Sequence, residues 1–393
     1  MKKFTFFSLY FSEGAPIGFI WWALPSILTK QGLTLTQTTT ISAIATLPWT
    51  FKFIFGPFVD IVSTNYLKLK KQVVFYQIIM GLSLFFLINA INSQSVSMIV
   101  STLVVHGIFA ALQDICIDAL AITSIPKNEI GKMNGIMQTG MLLGRSIFGG
   151  AGIYIAHLMG ISFTIYFLIA SVWISLIVLQ SSSLDQLNNT PISIKKYLKD
   201  FIGLLNNKLF WTLIGVTYFA GFSYNGISSI TSAILTQSNA SAMFQAVSYG
   251  LILPISMSLG ALTGGKYSDK CNPSKILKAS LTLSIISSIL VAIVMDSFLL
   301  PKPLLFSYFI FYFFIGSTTS SLYGFLMKNT SKKFAALEFS IFMGVVNFSE
   351  SSTSMLTGQL VKSFNFTLTS LMVGVICLIS LFFINKFSYL KAN

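Results

Sequence analysis

The chain has 393 residues, of which 54% are hydrophobic and only 9% charged, and it carries a formal net charge of +14. Soluble domains carry about 25% charged residues, so this composition, with a mean hydropathy of +0.78, excludes a water-soluble globular protein and indicates a polytopic membrane protein without a large soluble domain. The positive charge does not point to nucleic acid, because nearly all the lysines stand in short loops between apolar runs, where they set topology.

Lys2 and Lys3 precede an apolar run that continues to Leu28 and contains Glu13. Without a small-residue cleavage pattern it reads as an uncleaved first span. Twelve such runs follow one another, each long enough to cross a bilayer as a helix. The first six lie at about residues 4–28, 38–59, 73–91, 96–125, 133–157 and 161–180. The second six lie at about 209–235, 243–264, 276–295, 304–327, 334–361 and 366–387. The expected organisation is therefore all-α: an N-terminal half (1–180), a linker (181–208) and a C-terminal half (209–393). Within the linker, 194–205 reads as a short amphipathic surface helix. The lysine bias puts both termini in the cytoplasm.

The halves share a feature. The second run ends in Gly56-Pro-Phe-Val-Asp60, with Lys68, Lys70 and Lys71 following; the eighth ends in Gly264-Gly-Lys-Tyr-Ser-Asp269-Lys270. Small residues, then Asp, then basic residues at equivalent places read as an internal repeat. Duplicated six-span halves are a transporter architecture.

Charges inside the runs are the candidate functional groups, since ionisable side chains at membrane depth must face protein or water. The fourth run holds Asp114 and Asp118, four residues apart and so on nearly one side of a helix. Counting 1.5 Å per residue from the lysine-rich end puts Asp118 and Asp114 about 10 and 16 Å deep, Lys52 about 11 Å, Glu13 about 14 Å, Arg145 about 18 Å and Glu350 about 24 Å. Lys52 is expected to pair with one or both aspartates. The network is either a structural lock between helices or a participant in proton or substrate handling. Glu13 precedes Gly14-Ala-Pro16, which can break the helix and expose backbone to a cavity. It is a candidate proton carrier, with a structural partner of the helix break and a substrate contact as alternatives. Asp114 is the second candidate for proton coupling.

Arg145, the only arginine, stands in Gly140-Met-Leu-Leu-Gly-Arg145-Ser. Its planar guanidinium suits a carboxylate or phosphate on a solute, or a salt bridge to Glu13 or Asp114. Glu350, beside Asn347 and Ser349, is a second candidate cavity carboxylate. In the seventh run Trp211, Tyr218 and Phe222 share a face with Tyr224 and Asn225 just beyond. Tyr218, Phe222 and Asn225 are candidate solute contacts, although such stripes more often serve packing. His106 reads as a hydrogen-bonded packing residue. Cys116, Cys271 and Cys377 are scattered and the two histidines lack ligand spacing, so no disulfide framework, metal site or cofactor is expected.

Gly14-x-Pro16, Leu47-Pro-Trp-Thr-Phe-Lys52-Phe-x3-Pro57-x2-Asp60 and Gln113-Asp-x3-Asp118-Ala resemble the AmpG-type muropeptide permeases of the major facilitator superfamily. The same landmarks occur in their relatives, the RhtX/FptX-type siderophore permeases and the acetyl-coenzyme A transporters, and Asn134-Gly-x2-Gln138-x-Gly140 is similar to the siderophore branch. The resemblance covers about residues 8–155 closely and the second half only in span pattern and the Asp269 loop. The seventh run, Tyr218-Phe-Ala-Gly-Phe-Ser-Tyr-Asn225, lacks the charged pair expected of a muropeptide permease.

The resemblance implies proton-coupled import of a bulky, polar or anionic solute across a bacterial inner membrane, by rocking of the two halves about a midplane cavity. It also implies that Asp60 braces the start of the eleventh span near 334–338, and that Asp269 braces the fifth near Met133, as gate caps. A monomer in a lipid bilayer is expected, with a small solute and protons as partners. Proton-driven export of drugs or metabolites is the alternative. A membrane-embedded enzyme is remote, since no nucleophile motif or metal spacing accompanies the paired aspartates.

Overall fold

The computed structural model describes residues 2–65, 67–182, 184, 193–237, 244, 247–297 and 302–392. Every regular element among them is helical, as hydrocarbon demands when backbone groups must be satisfied within each segment. The first part of the chain forms α1 (Lys2–Gly18), α2 (Leu24–Lys30), α3 (Leu35–Thr50), α4 (Gly56–Asn65), α5 (Leu69–Asn92) and α6 (Val96–Ser124). Next come α7 (Ile130–Ser146), α8 (Gly152–Met159), α9 (Ile161–Gln180), α10 (Ile194–Leu205) and α11 (Lys208–Gln237). The remainder forms α12 (Leu253–Lys270), α13 (Pro273–Asp296), α14 (Lys302–Asn329), α15 (Ala335–Leu360) and α16 (Phe366–Ala392).

Seven helices among the described residues are long and apolar enough to cross a membrane: Leu69–Asn92, Val96–Ser124, Ile130–Met159, Ile161–Gln180, Pro273–Asp296, Lys302–Asn329 and Phe366–Lys391. Polar caps start several helices. Thr34 and Gln37 form a reciprocal capping box at α3, and Ser95 and Asn272 accept from backbone N–H groups at α6 and α13. Each cap satisfies a donor that the first helical turn leaves open.

Two local expectations are corrected. The first run does not break at Gly14-Ala-Pro16: α1 continues through Pro16 to Gly18, and the irregularity follows as a π-helical turn over Phe19–Ala23. The helix is held at this point by packing on α7. A Cβ on Gly14 would fall on the backbone of Met141, and one on Gly18 on that of Arg145. Gly140 and Gly144 of α7 meet the backbone of Phe7 and Phe11 in return. Small residues on both helices thus permit backbone-to-backbone approach. The second run is not one helix either. A 3₁₀ turn over Lys52–Ile54 separates α3 from α4, because Pro57 has no N–H and its ring crowds the carbonyl of Phe53.

Further π-turns interrupt the helical path at Ile147–Ala151, between α7 and α8, and at Ser248–Ile252, before α12.

Two compact units are present. One comprises Met1–Ile125, Ile136–Pro191 and Thr330–Ile341, the other Pro126–Gly135, Ile192–Asn329 and Phe342–Asn393. The first turns of α7 are thus grouped with the second unit and those of α15 with the first. The first unit's apolar core includes Phe19, Leu24, Leu84, Leu103, Phe148 and Leu168. In the second unit α12 and α14 approach as closely as α1 and α7 do, with Gly260 on the backbone of Phe313 and Gly316 on that of Met257. The linker segment forms the α10 helix, capped by Ser193. Its Tyr197 is buried, while Ile194, Leu198 and Ile202 form an exposed apolar stripe.

Candidate functional site

The first unit gathers five ionisable groups from four stretches of chain. Asp114 and Asp118, one turn apart on α6, are each 3% exposed. The 3₁₀ turn carries Lys52, whose Nζ donates to Asp114 Oδ2 at 2.6 Å with both side chains nearly buried. Lys52 does not bridge both aspartates among the described residues. Asp118 instead accepts the hydroxyl of Tyr10 on α1. Tyr10 is a site residue that sequence reasoning missed. The available signal was its position three residues before Glu13, which puts both on one face of a helix.

Glu13 itself is 3% exposed, and its Oε2 is buried without a hydrogen-bond partner. The charged groups acting on it are Asp114, Lys52, Asp118 and Arg145. Beside Asp114, Gln113 is fully buried with neither amide oxygen nor nitrogen hydrogen-bonded. Unsatisfied buried polar atoms are costly to a fold and are tolerated where function requires them. The arrangement can therefore hold a proton on the Glu13 carboxyl, whose Oε2 has no hydrogen-bond partner among the described residues, next to an ion pair already satisfied.

Arg145 forms no salt bridge to Glu13 or Asp114 among the described residues. Its guanidinium lies over the Trp21 ring, 5.3 Å from the centroid, and its Nε is buried without a partner. His106 is fully buried, with Nδ1 3.0 Å from Ser83 Oγ and 3.2 Å from the Met80 carbonyl. That makes it a tie between α6 and α5.

In the second unit, Tyr218 of α11 packs edge-on to Phe222, at 5.6 Å, and stacks on Phe348 of α15, at 5.7 Å. The Ser349 hydroxyl donates to the Tyr218 carbonyl at 2.6 Å. Glu350 follows on α15 and is half-buried. The expected face with Trp211 is not continuous. Trp211 is 56% exposed and its Nε1 donates to the Leu205 carbonyl at 2.6 Å, tying α11 to α10. The side chain of Asn225 lies outside the described residues.

Asp60 and Asp269 each span two successive backbone N–H groups at a helix start. Asp60 accepts from Ala336 and Leu337, both at 3.0 Å. Asp269 accepts from Gly131 at 2.9 Å and Lys132 at 2.6 Å. A carboxylate there satisfies open donors and is favoured by the helix dipole by about 0.3–1 kcal/mol. Sequence reasoning missed two companions. Lys328 pairs with Asp269 at 2.7 Å, and Asp296 makes a third cap of this kind, accepting from Phe366 and Thr367 at the start of α16. Replacing Asp269 by Ala leaves Lys328 with the Ser268 carbonyl but no ion partner, and uncaps α7. The expected loss is about 1.5–3 kcal/mol, as for hydrogen bonds to charged groups, and a lowered thermal unfolding midpoint of the purified protein checks it.

Residues 6–337 match the model of the Major Facilitator Superfamily. The chain belongs to the major facilitator superfamily. Solved structures of that superfamily share the fold over the whole length. The E. coli fucose:proton symporter FucP superposes with a TM-score of 0.74 at 12% identity, covering 98% of both chains. The human organic anion transporter MFSD10 gives 0.73 at 11% identity, covering 97% of both. A bacterial homologue of the iron transporter ferroportin, in an outward-facing state, gives 0.73 at 11%, covering 99% of this chain and 100% of that one. At these identities the likeness is one of fold. Together with the apolar helices, membership makes the protein an integral multi-pass membrane protein of a transporter family, not an enzyme.

Proposed function

We propose that this major facilitator protein imports a bulky, polar or anionic solute, of the anhydromuropeptide or siderophore class, together with protons by alternating access. In this reading it has twelve spans with both termini cytoplasmic in a bacterial inner membrane, acts as a monomer, and divides functionally at the 181–208 linker. Glu13 is the proton site, with Asp114 as second candidate, and Arg145 binds the anionic group of the solute. Glu350, Tyr218, Phe222 and Asn225 contribute from the other half. Lys52, Asp114 and Asp118 form the adjoining network, and Asp60 and Asp269 are gate caps that release their helix starts as the carrier changes state.

The observation that carries the reading is Glu13: a buried carboxyl with an unpartnered oxygen, beside an aspartate already neutralised by Lys52. A permanently charged, unpaired carboxylate at that depth is expensive, whereas one that takes up and releases a proton is not. The lysine-rich loops support the orientation, and the AmpG-like motifs support the solute class.

The test is uptake of labelled anhydromuropeptide into proteoliposomes of verified orientation, with and without an inward proton gradient. Gradient-stimulated uptake is expected. No uptake transfers the proposal to ferric siderophores, to be tested in the same vesicles, and failure of both sinks the solute class.

A further inference from the structure

Half-buried Arg145 differs from buried Lys52 of the same unit. Lys52 is neutralised by Asp114 at 2.6 Å, while Arg145 has no ion pair among the described residues and its Nε is buried without an acceptor. A guanidinium stays charged at any physiological pH and presents a rigid fork of donors suited to a planar acceptor. Within a membrane span such a group must face protein or water. Arg145 is half-buried, so the part of the side chain that protein leaves uncovered faces water or a ligand.

What lies beneath it is aromatic. The guanidinium sits over the Trp21 ring, and Trp21 as a residue is 40% exposed. Stacking on an indole orients a guanidinium and leaves its edge free for hydrogen bonds. The backbone around the pair is closely packed and irregular. Gly18 abuts the Arg145 backbone, the Trp22 ring abuts Gly149, and π-turns occur in both segments here, over Phe19–Ala23 and Ile147–Ala151. Single π-turns inside helices are found frequently at functional sites, where they re-aim side chains at some cost in stability.

We propose that Arg145 and Trp21 form one solute subsite, which takes a carboxylate or phosphate carried next to a flat ring. Arg145 holds the anion through paired N–H groups and Trp21 receives the ring on its uncovered surface. This rests on the carrier reading above and adds to it the chemical form of the cargo: charge and ring must be adjacent. An aromatic ring and the apolar face of a sugar both meet the requirement.

The experiment is equilibrium binding to the full-length protein in detergent, with no proton gradient. The probes are 2-naphthoate against its methyl ester, N-acetylmuramic acid against neutral N-acetylglucosamine, and hexanoate as an anion without a ring. Each ring-bearing anion that binds is expected to do so at least about tenfold more tightly than its neutral counterpart, as for a site left with unpaired donors. Which ring is preferred separates an aromatic from a sugar cargo. R145Q is expected to abolish this preference, and R145K to weaken binding because a point charge replaces the fork. W21A is expected to lower affinity for the ring-bearing anions about tenfold while leaving hexanoate unchanged, and W21F to restore most of the loss. Unchanged unfolding midpoints show that the variants are folded.

Equal binding of charged and neutral probes, binding by none of the anions, or indifference to R145Q and W21A would overturn the subsite. Proton-driven uptake that persists in both variants leaves the carrier reading intact while removing the subsite. Binding as described without any uptake does the reverse.

Discussion

Glu13→Gln is expected to reduce proton-gradient-driven uptake to background while leaving solute counterflow at its wild-type rate. Glutamine preserves the volume and polarity of the side chain but cannot carry a proton. Because Glu13 Oε2 has no hydrogen-bond partner to lose, the substitution perturbs the surrounding packing little. Counterflow needs only solute binding and the exchange of conformations, so it isolates coupling from transport. Both assays run in the same proteoliposomes. If E13Q retains gradient-driven accumulation, Glu13 is not the coupling residue and Asp114, the second candidate, is tested next as D114N.

Lys52→Met is the second large effect. The substitution removes the only ion-pair partner of Asp114 among the described residues and leaves a carboxylate 3% exposed. Breaking a buried pair from one side costs about 3–5 kcal/mol, because the remaining charge is uncompensated. A strong fall in folded yield and unfolding midpoint is expected. The double variant Lys52→Met with Asp114→Leu removes both charges and is expected to recover most of the stability, since apolar replacements of a whole buried pair are often neutral. The coupling between the two substitutions, taken as a double-mutant cycle, measures the pair itself. Uptake by the double variant then separates the two readings of the network. Retained uptake makes the pair a structural lock between the 3₁₀ turn and α6, whereas a stable but inactive protein makes it part of the transport cycle.

Much of the site was legible one helix at a time. The common depth of Lys52 and the two aspartates follows from counting along apolar runs, and that counting points to an ion pair. Which aspartate receives Lys52 was not legible. It depends on Tyr10 reaching Asp118 from α1, a contact across more than a hundred residues that leaves no local pattern. Arg145 stood out as the one arginine in an apolar run, but its companion Trp21 did not, because an indole in a span ordinarily signals packing or an interface. The same holds for Lys328 and Asp296, whose roles exist only where a helix end meets another helix. Trp211 shows the converse: helical spacing put it with Tyr218, yet its indole N–H is taken by the end of α10.

The sequence by itself determined that this protein is helical and lives in a membrane. It also determined where the apolar runs begin and end, and which few charges stand inside them. These are local consequences of side-chain transfer energies and of the need to satisfy backbone groups in hydrocarbon, and they add up residue by residue. Only the tertiary structure decided that α1 continues through Pro16, that the second run splits at Lys52, and that, among the described residues, Lys52 pairs with Asp114 and Asp118 accepts from Tyr10 while Glu13 and Arg145 have no ion pair. Those outcomes turn on which helices approach closely enough to touch. Here the approach is set by Gly14, Gly18, Gly140 and Gly144 letting two backbones meet, and a choice among partners at a few ångströms is a property of the packed bundle that no single helix carries.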